Sequence, residues 1–330
     1  YDILRGAATR GLYQSAYSAK NDAIFVASAV GRPPVRQSEL LRMDADTLEI
    51  EARMTPAAAP ARVGRDGAPA DGGLYAVYGV GVDDVHDTVW VTQSRQNTVA
   101  VYRQSDLSLV RQFDPGTVNH ARDVVVDPAL DKAYASATFE PEVVVFDTAR
   151  PEVASRIAIA SGQRGERFSA ASLSLNAAAH RLYVVSNSTN EVAVIDTRTD
   201  AVLKVLPVPG ARSAIGVSHD PQTGRIFVAA QGSDNVVILD GETGAVVADT
   251  PVGAGALNVV FDPVSRQAFV ANRGSSSIAV IDADGKLVAN LDGAPQANHV
   301  ATDGQGVIYA VTKGGDQDDA NTVWRIQPKR

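Results

Sequence analysis

Reactive side chains are scarce in this chain. Its 330 residues include no cysteine, which excludes thiolate nucleophiles, thiolate zinc sites and disulfides. The five histidines divide by position. His86 in "DDVHDTVW", His180 in "AAAHRLY" and His219 in "VSHDPQTG" stand at polar turns between apolar runs, where an imidazole serves the fold. His120 in "NHARD" and His299 in "ANHVA" stand in other connections, but they bring no carboxylates at a spacing that would complete a metal site. The acidic "GGDQDD" at 314–319 lacks the ligand spacing and closing Glu of a calcium loop. No G-x-S-x-G elbow, P-loop or H-E-x-x-H string stands where its strand and helix context could form. Neither a catalytic set nor a metal or cofactor site is expected.

Arginine and aromatic residues offer more. Guanidinium groups pair bidentately with phosphate or carboxylate, and aromatic faces stack on planar groups. Arg32, Arg36, Arg62, Arg65, Arg95, Arg122, Arg164, Arg167, Arg212, Arg273 and Lys313 fall in or beside connections that also carry Tyr13, Tyr75, Tyr78, Phe139 and Phe168. That mixture suits an anionic, planar or polymeric ligand. The formal charge of −8 argues against a surface that grips nucleic acid or anionic lipid all over, so any such contact has to be local.

The elements that must position these residues are short strands, repeated. "RLYVVSNSTNEVAVIDT" from Arg181, "RIFVAAQGSDNVVILDGETG" from Arg225 and "QAFVANRGSSSIAVIDADG" from Gln267 write one pattern three times: two apolar runs around a polar turn. The residue closing the second run recurs at Asp44, Arg103, Asp147, Asp196, Asp240, Asp282 and Gln327, at spacings of 59, 44, 49, 44, 42 and 45 residues. That period predicts an all-β, seven-bladed β-propeller of four-stranded antiparallel blades. The seventh unit stops at its third strand, "NTVWRI", and Asp2 to Leu4 supplies the fourth. Both ends of the chain therefore close one ring, and residues 1–330 are expected to form a single domain.

Connections differ in length between the two faces. Turns from first to second and from third to fourth strand are tight, as in "HDPQTGR" and "DTRTD", whereas residues 28–39, 53–81, 160–172 and 312–321 are long and lie on the opposite face. Segregated long loops on a rigid scaffold point to a binding surface. On that face the expected ligand contacts are Tyr13, Tyr78, Arg95, His120, Arg122, Arg167, Phe168, Arg212, Asn258, Arg273, Asn298 and His299; Asn258 and Asn298 belong there because they precede the first strands of blades six and seven. Ser186 and Asn187, in the short turn "SNSTNE", are at most fringe contacts.

The strings "LYVVSNSTNEVAVIDT", "FVAAQGSDNVVILD" and "FVANRGSSSIAVID", with the ending "DDANTVWRI", resemble the YVTN-type repeat of the YncE-like propellers over essentially the whole chain. The resemblance implies a periplasmic protein, exported with its signal peptide removed, without established catalysis, and with single-stranded nucleic acid among the ligands to consider. A monomer with no membrane span is expected. No run approaches the ~18 apolar residues of a spanning helix. Three functions follow: capture of an anionic ligand, a protein-interaction platform in the cell envelope, and a lactonase-like hydrolase of the sort that propellers of related repeat type host.

Overall fold

A computed structural model describes residues 1–64, 66–314 and 321–329. Arg65 and most of the acidic "GGDQDD" segment lie outside them. Seven four-stranded antiparallel sheets stand in a ring, each numbered here as a blade with strands A to D from the axis outward. Their A strands are Leu12–Ser18, Val80–Asp83, Ala121–Asp127, Ala170–Asn176, Ala214–His219, Ala256–Asp262 and Ala297–Thr302. Blade seven takes its D strand from the start of the chain: Asp2–Ala7 pairs with Thr322–Gln327 over the register Asp2 to Gln327 through Ala7 to Thr322. The closing strand is thus longer than the Asp2 to Leu4 segment expected. Among the described residues no helix is long and apolar enough to cross a membrane.

Strand sequence follows position in the blade. The B and C strands are covered on both faces by neighbouring blades, so Arg225–Ala230 and Asn235–Asp240 read as nearly unbroken Val, Ile, Phe and Ala. The D strands touch a neighbour on one side only, and Ala201–Pro207 alternates exposed with partly covered residues.

Apolar packing lies between blades. One cluster joins Trp90 and Val101 of blade two to Phe146 and Val124 of blade three. Another joins Phe227 and Ile238 to Phe261 and Ile281 across blades five and six. Equivalent clusters fill the other five interfaces, the blade seven to one contact included, where Tyr309 and Val311 meet Met43 and Leu41. Because the ring is held at its seams, its axis is free to remain polar.

Candidate functional site

The polar axis opens on the long-loop face as a cavity of about 220 Å³. Its wall is made by an irregularity that recurs in the A strands. In blades one, three, four, five, six and seven the pairing of A with B shifts register within the first residues of the A strand: between Leu12 and Ser15, Ala121 and Val124, Ala170 and Leu173, Ala214 and Gly216, Ala256 and Asn258, and Ala297 and His299. A bulge leaves a residue unpaired and re-aims its side chain. Tyr13 and Gln14, Arg122, Ser172, Leu257 and Asn298 all lie within these shifts, and all line the cavity. Tyr78, Ser94, Arg95, His120, Asn258, Arg273 and His299 complete the wall.

Three guanidinium groups therefore share one small space, and among the described residues no carboxylate lines it. Arg95 comes from the B to C turn of blade two, Arg273 from that of blade six, and Arg122 from the bulge of blade three. None of the three has an ion-pair partner among the described residues. Arg122 Nε is buried without a hydrogen bond, and blade two presses against its backbone: a Cβ on Gly79 would sit 2.7 Å from the Arg122 carbonyl oxygen. A fourth cation, Lys313, places Nζ 3.5 Å from the centroid of the Tyr13 ring. Tyr13 in turn meets Tyr78 edge to face at 4.7 Å.

Titration behaviour reflects burial first and, at His120 and Lys313, the nearby positive charge second. Burial, with Arg95 and Arg122 nearby, lowers the pKa of His120. Lys313 is lowered first by burial and then by Arg273 and Arg95, against an opposing contribution from Tyr13. Burial also lowers Arg122, although Asp123 and Tyr13 oppose it. An incoming anion would offset the burial of Arg122 and the positive field at His120 and Lys313.

Other lining residues serve the ring. Asn258 Oδ1 accepts the Val300 amide at 2.9 Å, Asn298 Nδ2 donates to the Tyr13 carbonyl at 2.7 Å, and the Ser15 amide donates to His299 Nδ1 at 3.4 Å. These links cross between blades six and seven or seven and one. His299 is held neutral by burial, reinforced by Arg122, with a pKa lowered to about 3. Asn258 and His299 also line a wider cavity of about 540 Å³, which opens at the short-turn end among Val82, Val126, Leu175 and Phe261. They form the partition between the two.

Three expected contacts stand elsewhere. Phe168 is only 1% exposed and packs in the seam of blades three and four with Tyr134 and Ile159, because an apolar ring at a blade interface is buried before any ligand can reach it. Arg167 is paired with Glu140. Arg212 is exposed on the connection into blade five and does not line the cavity. Acids also engage other arginines: the loop residue Asp71 meets Arg36 at 2.9 Å, and on the C and D strands of blade one Glu39 meets Arg53 at 3.7 Å. The basic character of the face thus gathers in a compact axial pocket. Gln14, Ser94, Ser172 and Leu257 were not expected there; bulges hide Gln14, Ser172 and Leu257, since a register shift breaks no visible pattern of alternation, and Ser94 opens the B to C turn of blade two.

The remaining histidines are structural. His86 Nδ1 lies 2.8 Å from Asp83 and its Nε2 3.5 Å from Asp131. His219 contacts Ser174 Oγ at 2.8 Å and stacks on Tyr183. Among the described residues no group of three or more His, Asp or Glu side chains could hold a metal ion.

Comparison with known proteins agrees with this architecture. The chain is 23% identical over 303 residues to the protein YncE of Salmonella typhi, covering 76% of this chain and 80% of that one. Against YncE of Escherichia coli strain K12 it is 23% identical over 259 residues, covering 75% and 67%. A chain of Kuenenia stuttgartiensis hydrazine synthase superposes with a TM-score of 0.76 at 14% identity, over 97% of this chain and 96% of that one, a likeness of fold alone. No family model matches the chain.

Proposed function

We propose that this YncE-like seven-bladed propeller is a non-enzymatic binding protein that captures an anionic group in its axial pocket. One observation carries the reading: Arg95, Arg122 and Arg273 converge on a cavity whose described wall contains no carboxylate. Cations kept apart from counter-charges cost stability, and a bound anion offsets that cost. The cavity is smaller than the ~300–1,000 Å³ usual for drug-sized ligands, so it takes one anionic head group at a time. A single strand of nucleic acid would enter through one phosphate, and that phosphate alone would give a shallow salt dependence, near the ~0.7 counterion released per contact in single strands. A periplasmic location is part of the proposal, supported by the likeness to the YncE-like propellers and compatible with a cysteine-free chain.

The test is titration of the protein with inorganic phosphate by calorimetry, in wild type and Arg122→Met. The variant should bind at least ~10-fold more weakly, the loss expected when a charge-assisted hydrogen bond is removed. Its melting temperature should hold or rise by about 1–3 °C as an unpaired buried cation disappears. Phosphate binding that is absent from wild type, or equal in the two proteins, overturns the reading. A lower melting temperature with unchanged binding would assign Arg122 to the fold instead.

A further inference from the structure

Beside the axial pocket an aromatic ring stands in water. Phe139 is 61% exposed, in the B to C connection of blade three between Lys132–Ala137 and Glu142–Asp147. Its one aromatic neighbour among the described residues is His120, at 4.5 Å between centroids and tilted by 31°, and His120 is part of the pocket wall. The ring thus continues the wall outward from the cations.

The connection that carries it is pinned on both sides. The Thr138 carbonyl accepts a hydrogen bond from Ser169 Oγ at 2.5 Å. The Glu140 carboxylate accepts one from Asn119 Nδ2 at 3.3 Å and also pairs with Arg167, and the Glu140 amide donates to the Ala137 carbonyl at 3.2 Å. His120 is fixed too: its amide donates to Asn97 Oδ1 at 2.8 Å, and its φ of 47° belongs to a left-handed position where blades one and six use Gly11 and Gly255. The turn geometry belongs to the repeat, whereas the imidazole does not. An exposed ring held by its neighbours loses little conformational entropy when something stacks on it.

We propose that the ligand is a small aromatic or heteroaromatic molecule bearing a phosphate-type dianion. The dianion seats among Arg95, Arg122 and Arg273, and the ring lies against the Phe139 and His120 shelf. The inference rests on the anion reading and extends it to a ligand class. A dianion fits because three guanidinium groups line a space with no described carboxylate on its wall, and Lys313 stands behind it against the lining ring of Tyr13. A planar group fits because aromatic pairs and cation to ring contacts add to affinity beyond the area they bury.

The experiment compares phenyl phosphate, n-butyl phosphate and inorganic phosphate by calorimetry, in wild type and Phe139→Leu, which keeps an apolar side chain and removes the ring. Thermal unfolding monitors the fold of the variant. In wild type, phenyl phosphate should bind about 10-fold tighter than butyl phosphate, the size of one good ring contact, and in Phe139→Leu the ratio should fall below about twofold. Equal affinities for the two esters in wild type, or a ratio that survives the substitution, overturn the inference while leaving the anion reading standing. No binding by any of the three overturns both. A short single-stranded oligonucleotide that displaces phenyl phosphate with a salt dependence of several counterions would replace the small-molecule class by a polymer.

Discussion

Arg122 and Asp123 are neighbours in sequence with opposite assignments. Arg122 faces the axial pocket, whereas the Asp123 carboxylate faces blade four, accepting the Leu173 and Val124 amides at 2.9 Å each. Burial raises the pKa of Asp123 to about 6 against the opposing pull of those amides and of Arg122. Burial lowers His219 to about 4, with Asp220 opposing, and lowers His299 to about 3. The signs decide the acid behaviour. A raised carboxyl favours the fold below its unfolded pKa and loses that contribution as pH rises through about 6. The two lowered imidazoles favour it above ~6.5 and lose that contribution as pH falls through their folded values. Through about pH 6 to 4 the two histidines of the unfolded chain therefore take up two protons while the fold retains one on Asp123, and stability falls with falling pH by on the order of 1 kcal/mol per pH unit from the three groups together. In His219→Gln that slope should flatten, as seen in urea midpoints between pH 4 and 7. An unchanged slope would exclude His219 as a titrating contributor.

At the scale of elements, the B to C turns act as clasps between blades. Asn97, Asn190, Asp234 and Ser276 all adopt left-handed backbone, with φ of 54°, 51°, 55° and 52°. Their side-chain oxygens accept amides from the chain entering the next blade: Asn97 from His120, Asn190 from Ala214, Asp234 from Gly255 and Ser276 from Gln296. Asn321 closes the series by accepting from Gly11. The polar turn "SNSTNE" thus works through Asn190, while its Ser186 Oγ is buried and receives the Ser169 amide. Asn190→Ala should cost about 2–3 kcal/mol, the sum of a lost, partly buried hydrogen bond and a side chain forced into left-handed backbone. Asn190→Gly removes only the hydrogen bond and should cost visibly less. Denaturant midpoints would decide, and equal losses would mean that backbone conformation contributes nothing at this position.

The whole molecule is a ring of seven apolar seams, each shared by two blades, so no blade carries a core of its own. Closure depends on Asp2–Ala7, where Arg5 stacks its guanidinium on Trp324 at 4.1 Å and Tyr1 packs edge to face on Phe269 at 5.9 Å. Removing residues 1–7 leaves Thr322–Gln327 as an open edge, a template for intermolecular pairing. The shortened chain should melt at least ~5 °C lower, in line with the loss of several kcal/mol, and should aggregate as it does so. Calorimetry with light scattering would check this, and an unaltered transition would show that the ring does not need its closing strand.

The sequence alone determined the blade count, the four-strand order, the closure by the chain's own start and the division into a short-turn and a long-loop face. Alternation is local, and connection lengths can be counted, so these features survive without coordinates. It also drew Arg95, Arg122, Arg273, Tyr13 and Tyr78 toward one face from their places in the repeat. Only the tertiary structure decided which charges remain unpaired. Arg167 meets Glu140 from the preceding blade and Arg36 meets Asp71 from an inserted loop, and such pairings depend on distances between segments far apart in the chain. Phe168 went to a seam rather than a surface for the same reason. The bulges that turn Arg122 and Tyr13 toward the axis were equally hidden, because a register shift is a property of two paired strands and leaves no mark on either one read alone.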